Sequence, residues 1–256
     1  MIKKRLIAVL IIRDGQVVQS VKFKHTNVIH SDAIHAIEAF NQWSVDEIVL
    51  LNVSKSESSK LKFLHILKHI SKSCFVPLSV GGWINDFEYA KEIIRNGADK
   101  LVLNTALFFD ETLLDRLIGR FGSQCIVASI DFDYTERGPS VFIDRGEQDI
   151  EKHPNDWAIY LESKGVGEIF LNCISKDGAR KGYDLEMLAL ISSSINIPLI
   201  AFGGVLRWKH LLDGFQAGAD AVAAANVFHY TEHAAKKAKQ YLYGEGIDVR
   251  QPEFMN

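Results

Sequence analysis

Eight short apolar runs separated by segments of helical period set the rhythm of this chain. Strands are predicted at 5–11, 48–52, 76–80, 101–104, 125–131, 168–173, 198–202 and 221–225. Each is too short and too uniformly apolar for a half-exposed strand, and suits one buried on both faces of a parallel sheet. Helices are predicted near 32–42, 59–72, 86–96, 110–120, 155–164, 184–194, 207–217 and 231–242. Some open on acidic caps, Asp86 before Phe87 and Asp110-Glu111 before Leu113, and two end at Gly97 and Gly218. Eight βα units with short connections specify an α/β fold, a single (β/α)8 TIM barrel over residues 1–256, with a doubly wound sheet as the alternative. Two connections are long, 13–31 and 132–153, and on the C-terminal face of such a barrel long loops act as lids or substrate clamps.

The rhythm also repeats. Residues 45–105 and 166–226 are two copies of one unit offset by 121 positions. Val45 to Leu51 is matched by Val166 to Asn172, Pro77-Leu78 by Pro198-Leu199, Gly82 by Gly203, and Asn96-Gly97-Ala98-Asp99 by Ala217-Gly218-Ala219-Asp220. The chain therefore reads as two duplicated half-barrels, roughly 1–121 and 122–243. The copies differ where one follows a strand with Phe202-Gly203-Gly204 and the other with Gly81-Gly82-Trp83. Bare glycine backbone at a strand's end suits close approach of a phosphate, and an indole in the matching place does not.

Composition narrows the partners. A chain of 256 residues, 47% hydrophobic, can bury a large core. A net charge of -3 without a run of Lys/Arg argues against nucleic acid, so the expected partners are small molecules or proteins, and the glycine cradles make a phosphorylated small molecule the candidate. Cys74, Cys125 and Cys173 lack CxxC spacing and lie in or beside apolar runs, which predicts buried free thiols in a reducing cytoplasm. Lys3-Lys4-Arg5 before Leu6–Ile12 imitates a signal peptide, but the run is short and Arg13-Asp14-Gly15 follows, so it reads as a first buried strand. No stretch approaches the ~20 apolar residues of a membrane span. His65 and His69 have metal-pair spacing but no third ligand, and His229 reads as a loop or cap residue, so neither a metal nor a cofactor is expected.

Few residues are placed for chemistry. Asp131 ends the run Ile126–Ile130, which sets a carboxylate at the C-terminal mouth of a buried strand, where it can act as a general base; a loop cap is the plainer alternative. Asp177-Gly178, in the loop after the sixth strand, can hold a polar substrate or merely turn the chain. Gly203-Gly204 and Asn226 are the phosphate candidates after the seventh and eighth strands, with Asn104-Thr105 the pair one half-barrel away. At the other end, Arg5, Glu47, Lys100 and Glu168 all stand at strand starts and can form a ring of two bases and two acids; four solvated charges are the alternative.

Asp14-Gly15-Gln16-Val17-Val18, Asn104-Thr105, Phe121-Gly122-Ser123-Gln124, Asp177-Gly178, Lys181-Gly182-Tyr183-Asp184 and Val227-Phe228-His229 occur in the same order as in the cyclase subunit of imidazole glycerol phosphate synthase (HisF), which the sequence resembles from about residue 4 to Arg250. The resemblance implies a HisH-like glutaminase partner on the N-terminal face, ammonia passing along the barrel, and a substrate with two phosphates at the other face. It makes Asp131 the second of the family's two catalytic aspartates, makes Arg5, Glu47, Lys100 and Glu168 the ammonia gate, and places Asp99 on the docking surface. Departures from the family lie at the active face: Ile11 replaces the first aspartate, Gln19 a lysine, Asn52 an aspartate, Trp83 a glycine, Phe202 a serine and Asn226 a serine.

That mixture resembles the branch of the family associated with surface-polysaccharide (lipopolysaccharide) biosynthesis, which implies a glutaminase-fed barrel serving a sugar amidotransferase, with activity on the histidine intermediate impaired. The alternatives are a cyclase of histidine biosynthesis with an altered acid and a non-catalytic ammonia conduit or scaffold.

Overall fold

In the computed structural model, which describes residues 3–33, 44–229 and 233–250, eight parallel strands close into a barrel. They are β1 (Arg5–Arg13), β4 (Glu47–Asn52), β5 (Leu78–Gly81), β6 (Lys100–Leu103), β7 (Ile126–Thr135), β10 (Glu168–Cys173), β11 (Leu199–Phe202) and β12 (Ala221–Ala224). The ladder closes through β12 on β1 and through β7 on β10. This is the (β/α)8 barrel, and the doubly wound alternative falls away. Helices at Ser59–Ser73, Phe87–Arg95, Glu111–Phe121, Pro154–Ser163, Leu185–Ser192, Trp208–Gln216 and Ala234–Gly244 follow the strands. The helix predicted over 32–42 lies almost wholly outside the described residues.

Period-2 alternation sorts the strand residues into two apolar shells. Leu6, Ala8, Leu10 and Ile12 of β1 point outward and join the helices in the larger cluster. Ile7, Val9 and Ile11 point inward and meet Val49, Val102, Val127, Phe170, Ile200 and Phe202 in a smaller cluster that fills the barrel. The interior is therefore lined by aliphatic and aromatic side chains contributed by several of the strands.

The duplication persists in fine detail. Ile48 and Ile169 donate to the carbonyls of Pro77 and Pro198, and Asp99 and Asp220 accept from Leu78 N and Leu199 N at 2.8 and 3.1 Å. Gly97 and Gly218 end their helices at φ +106° and +102°, each against the matching serine: a Cβ on Gly97 would lie 2.3 Å from Ser71 Cβ, and one on Gly218 2.2 Å from Ser192 Oγ. Only glycine satisfies both the backbone angle and the space. The acidic caps form as expected, with Asp86 accepting from Tyr89 N and Asp110 from Leu113 N.

The two long connections are sheet rather than loop. Residues 13–31 carry β2 (Gln16–Val21) and β3 (His25–His30), an antiparallel ribbon on β1. In 132–153, β7 itself runs on to Thr135 and pairs with β8 (Gly138–Ile143), which pairs with β9 (Gln148–Asp149). The thiol expectation also needs correcting: all three cysteines are free, but only Cys173 is buried, because Cys74 and Cys125 stand at element ends.

Candidate functional site

The first four residues of interest open their strands at the N-terminal mouth and meet there. Arg5 spans both acids, with Nη1 at 2.8 Å from Glu47 Oε2 and Nη2 at 2.9 Å from Glu168 Oε1. Lys100 Nζ closes the circuit at 3.2 Å from Glu47 and 3.0 Å from Glu168. Ser79 Oγ donates to the remaining Glu47 oxygen at 2.6 Å. Both glutamates are buried, so the ring is a desolvated circuit of alternating sign with zero net charge, the arrangement in which buried charges are tolerated. The solvated-charge alternative does not describe it. Above the ring the barrel axis is lined by Ile7, Val9, Val49, Val102, Val127, Phe170 and Ile200.

Asp131 stands at the opposite end. It pairs in register with Asn172 of β10 on one side and with Phe142 of β8 on the other, the point at which β7 leaves β6 for its own hairpin. Each carboxylate oxygen accepts one amide hydrogen: Oδ1 from Asn172 Nδ2 at 3.0 Å and Oδ2 from Asn104 Nδ2 at 3.1 Å. Asn104 is fixed at both ends, since it also donates to Ser129 O and accepts from Thr105 Oγ1. Asn172, fully buried, leaves its Oδ1 without a partner. Desolvation raises the Asp131 pKa to about 7; the Asn172 hydrogen bond opposes the rise and the nearby Asp177 adds to it. A carboxyl poised near neutrality can give and take a proton at working pH.

Asp177 is buried and its carboxyl is likewise raised, chiefly by burial. It accepts from Ser20 Oγ at 2.6 Å, while its carbonyl accepts from Lys22 N at 3.1 Å. Its first job is thus to pin the β2–β3 ribbon over the mouth. Gly178 must approach that ribbon closely: a Cβ there would lie 2.8 Å from Ser20 O.

The second-half phosphate candidates line one cavity of about 270 Å³, where Gly178, Gly203, Gly204 and Asn226 face Gln19, Arg180 and Phe202. Gly203 and Gly204 have φ +97° and +81°, and side chains on them would collide with Asn172 Oδ1 at 2.5 Å and Gly182 O at 2.4 Å. Phe202 stacks on Phe170 at 5.0 Å beneath this cavity. In the first half, Asn52 is buried and turned away from the barrel axis toward the start of the following helix, accepting from Ser54 Oγ at 2.7 Å and donating to Ser59 Oγ at 3.4 Å. Thr105 accepts from Asp144 N at 3.0 Å. Ile11 is one of the barrel-filling apolar residues and cannot exchange a proton.

The exposed Asp99 spends one carboxylate oxygen on the start of β5. The His65 and His69 rings lie 4.8 Å apart, tilted by 42°, and no group of three metal-binding side chains occurs among the described residues. No helix among them is long and apolar enough to cross a membrane. Sequence reasoning did not single out Asn172, Ser20, Arg180 or Arg145. For Asn172 the signal was available: an amide inside the buried run Ile169-Phe170-Leu171, opposite Leu51 in the other copy.

Residues 5–234 match the family described as Histidine biosynthesis protein. The chain belongs to that family. It is 40% identical over 251 residues to imidazole glycerol phosphate synthase subunit HisF of Chlorobium phaeovibrioides, covering 98% of this chain and all of that protein. The subunit of the same name from Campylobacter concisus is 38% identical over 247 residues, covering 96% and 98% of the two chains, and that from a Thermotoga species 35% over 250, covering 98% of each. This HisF-like barrel is matched along nearly its whole length, so the ring, the mouth and both sheet insertions fall within the shared region.

Proposed function

We propose that this HisF-like chain is the synthase-type subunit of a glutamine amidotransferase, taking ammonia from a glutaminase docked on the N-terminal face and delivering it along the barrel axis to Asp131. The observation that carries this reading is the ring of Arg5, Glu47, Lys100 and Glu168. It is neutral as a whole yet charged at every point, so it resists bulk ions while a small neutral molecule needs only the displacement of the Lys100 ammonium. Beyond it the aliphatic lining disfavours ammonium, whose desolvation is costly, and leaves neutral ammonia unprotonated until it reaches a carboxyl.

For the acceptor we propose a sugar of a surface polysaccharide, handled with a sugar amidotransferase, rather than the histidine-pathway ribonucleotide. Ile11 where the family has its first aspartate removes one proton-transfer group, a loss of ~10²–10⁴ in rate, and Trp83 replaces a phosphate-site glycine. The second reading, a cyclase of histidine biosynthesis, is favoured by the full-length similarity to HisF subunits and by an Asp131 that titrates near neutrality.

Two measurements test the proposal. Calorimetry with candidate glutaminases, followed by coupled turnover with Lys100→Leu, is expected to show binding retained and glutamine hydrolysis uncoupled from product. If no glutaminase binds and Lys100→Leu changes nothing, the barrel is a scaffold. Conversion of the ribonucleotide with ammonium salts is expected to fail; turnover within about tenfold of an ordinary kcat near 10 s⁻¹ establishes the histidine reading. Asp99→Asn is the docking variant of choice, because Asp99→Arg would also remove the acceptor at Leu78 N.

A further inference from the structure

We infer that the ligand of the C-terminal mouth carries a single anionic group, bound in the second half, because Trp83 and its neighbours have closed the equivalent place in the first. The inference rests on the mouth at Asp131 being the reaction site and is independent of where the ammonia originates. Trp83 occupies the position of Gly204 in the repeat and keeps the left-handed backbone that glycine prefers, φ +60° against +81°. A bulky residue there is uncommon and strained. Its surroundings hold it: the indole Nε1 donates to Ser54 O at 2.9 Å, and Lys60 Nζ and Arg145 Cζ lie 6.0 and 5.8 Å from the ring.

Both cations already have acidic partners, with only Arg145 Nε left buried and unpaired behind the indole. Lys60 pairs with Glu57 at 2.7 Å and lies 3.9 Å from Asp86, while Arg145 pairs with Asp144 at 3.0 Å. The neighbouring polar groups are committed as well, Asn104 to Asp131 and Thr105 to Asp144 N. A phosphate entering here would meet three carboxylates around two paired cations, and the indole stands in its way. The second half offers an open cavity with adjacent glycines and Arg180 at its wall; its one carboxylate, Asp177, is held by Ser20 and raised by burial. Its loop is also longer, since the helix after β4 begins at Ser59, whereas that after β10 begins only at Leu185, five residues later in the repeat register, and the extra turn supplies the wall of the cavity.

The test compares oligo(ethylene glycol) monophosphates with the corresponding α,ω-bisphosphates of graded length, titrated calorimetrically into the full chain. The wild type is expected to bind mono- and bisphosphates with equal affinity apart from the statistical factor of about two. In Trp83→Gly the indole leaves, opening the space between Lys60 and Arg145, and Arg145 Nε becomes available to an anion although both cations keep their acidic partners. A bisphosphate long enough to span the mouth should then gain at least about tenfold over its monophosphate, the mark of a second engaged site. Glycine at this backbone angle is favoured, and Trp83→Ala provides a second variant. A wild type that prefers any bisphosphate by tenfold, a Trp83→Gly that gains nothing, or a wild type that binds neither probe class overturns the inference. Each of these results leaves the glutaminase-binding test untouched.

Discussion

Replacing Asp131 by asparagine removes one titrating group while keeping its size and one carbonyl oxygen, and the structure sets how stability must respond to pH. An unfolded aspartate titrates near 3.9, whereas burial holds the Asp131 carboxyl at about 7. The folded chain therefore keeps a proton that the unfolded chain has released. Stability associated with this group is complete below pH ~4, falls as pH rises to about 7, and is level above that. Over the two units from pH 5 to pH 7 the limit is ~2.7 kcal/mol at ~1.4 kcal/mol per unit. Asp131 keeps partial exposure as a residue, so some of this is screened, and about 2 kcal/mol is the expected change. Asp131→Asn should thus gain about 2 kcal/mol on the wild type between pH 5 and pH 8, read from urea unfolding at half-unit steps with a common slope. Titration of the other groups largely cancels in the comparison, and relief of Asp177 acts in the same direction. Stability curves that stay parallel within ~0.5 kcal/mol across this range would refute the claim that Asp131 is a desolvated carboxyl.

Asn172→Leu, which installs the residue of the other half, removes the hydrogen bond that favours the ionised form of Asp131. The Asp131 titration, followed by carbon NMR, should move up by about one unit, the equivalent of one lost hydrogen bond of ~1.4 kcal/mol. Gly203→Ala places a methyl against Asn172 Oδ1 at a backbone angle hostile to side chains, and is expected to cost about 1–3 kcal/mol in thermal unfolding and to disturb the same titration. Lys239→Met strands the Asp46 carboxylate that the buried ammonium now meets at 2.6 Å, with an expected loss of about 3–5 kcal/mol in urea.

What could be read in advance, and what could not, follows from how local each signal is. Strand cores such as Ile48-Val49-Leu50 and the caps Asp86 and Asp110 are local facts, so they were legible, and the repeat turned them into a barrel. The sheet insertions were not read, because a two-stranded ribbon shares its alternation with many polar loops, and Val17-Val18 interrupts the period. For the ring, the repeat pointed to Glu47 and Glu168 as equivalent positions; that Arg5 bridges both depends on barrel closure, which no local pattern contains. Asp131 was legible as a carboxylate at a strand end. Its two amide donors were not, since Asn104 and Asn172 lie 27 and 41 residues away and meet it only through the register of β7. Asp177 was read as a substrate residue, and its contact with Ser20 adds a structural duty visible only once the ribbon is folded over it.

Every barrel strand of the first half begins 121 residues before its counterpart: Arg5 and Ile126, Glu47 and Glu168, Leu78 and Leu199, Lys100 and Ala221. From one strand start to the next the spacing is the same in both halves, and β4, β5 and β6 match β10, β11 and β12 in length, while β7 runs one residue longer than β1 into its hairpin. The reason is parity. On β4 the same alternation that turns Glu47 into the ring turns Val49 and Leu51 toward the axis, so a single inserted residue would invert one end of the barrel relative to the other. The two halves therefore differ at the mouth by point replacements and by how connections of equal overall length divide between loop and helix, whereas the spacing from entrance to exit behaves as a fixed ruler. Anyone redesigning this barrel for a new acceptor inherits the same rule: replace residues at the strand ends, and leave the strand register alone.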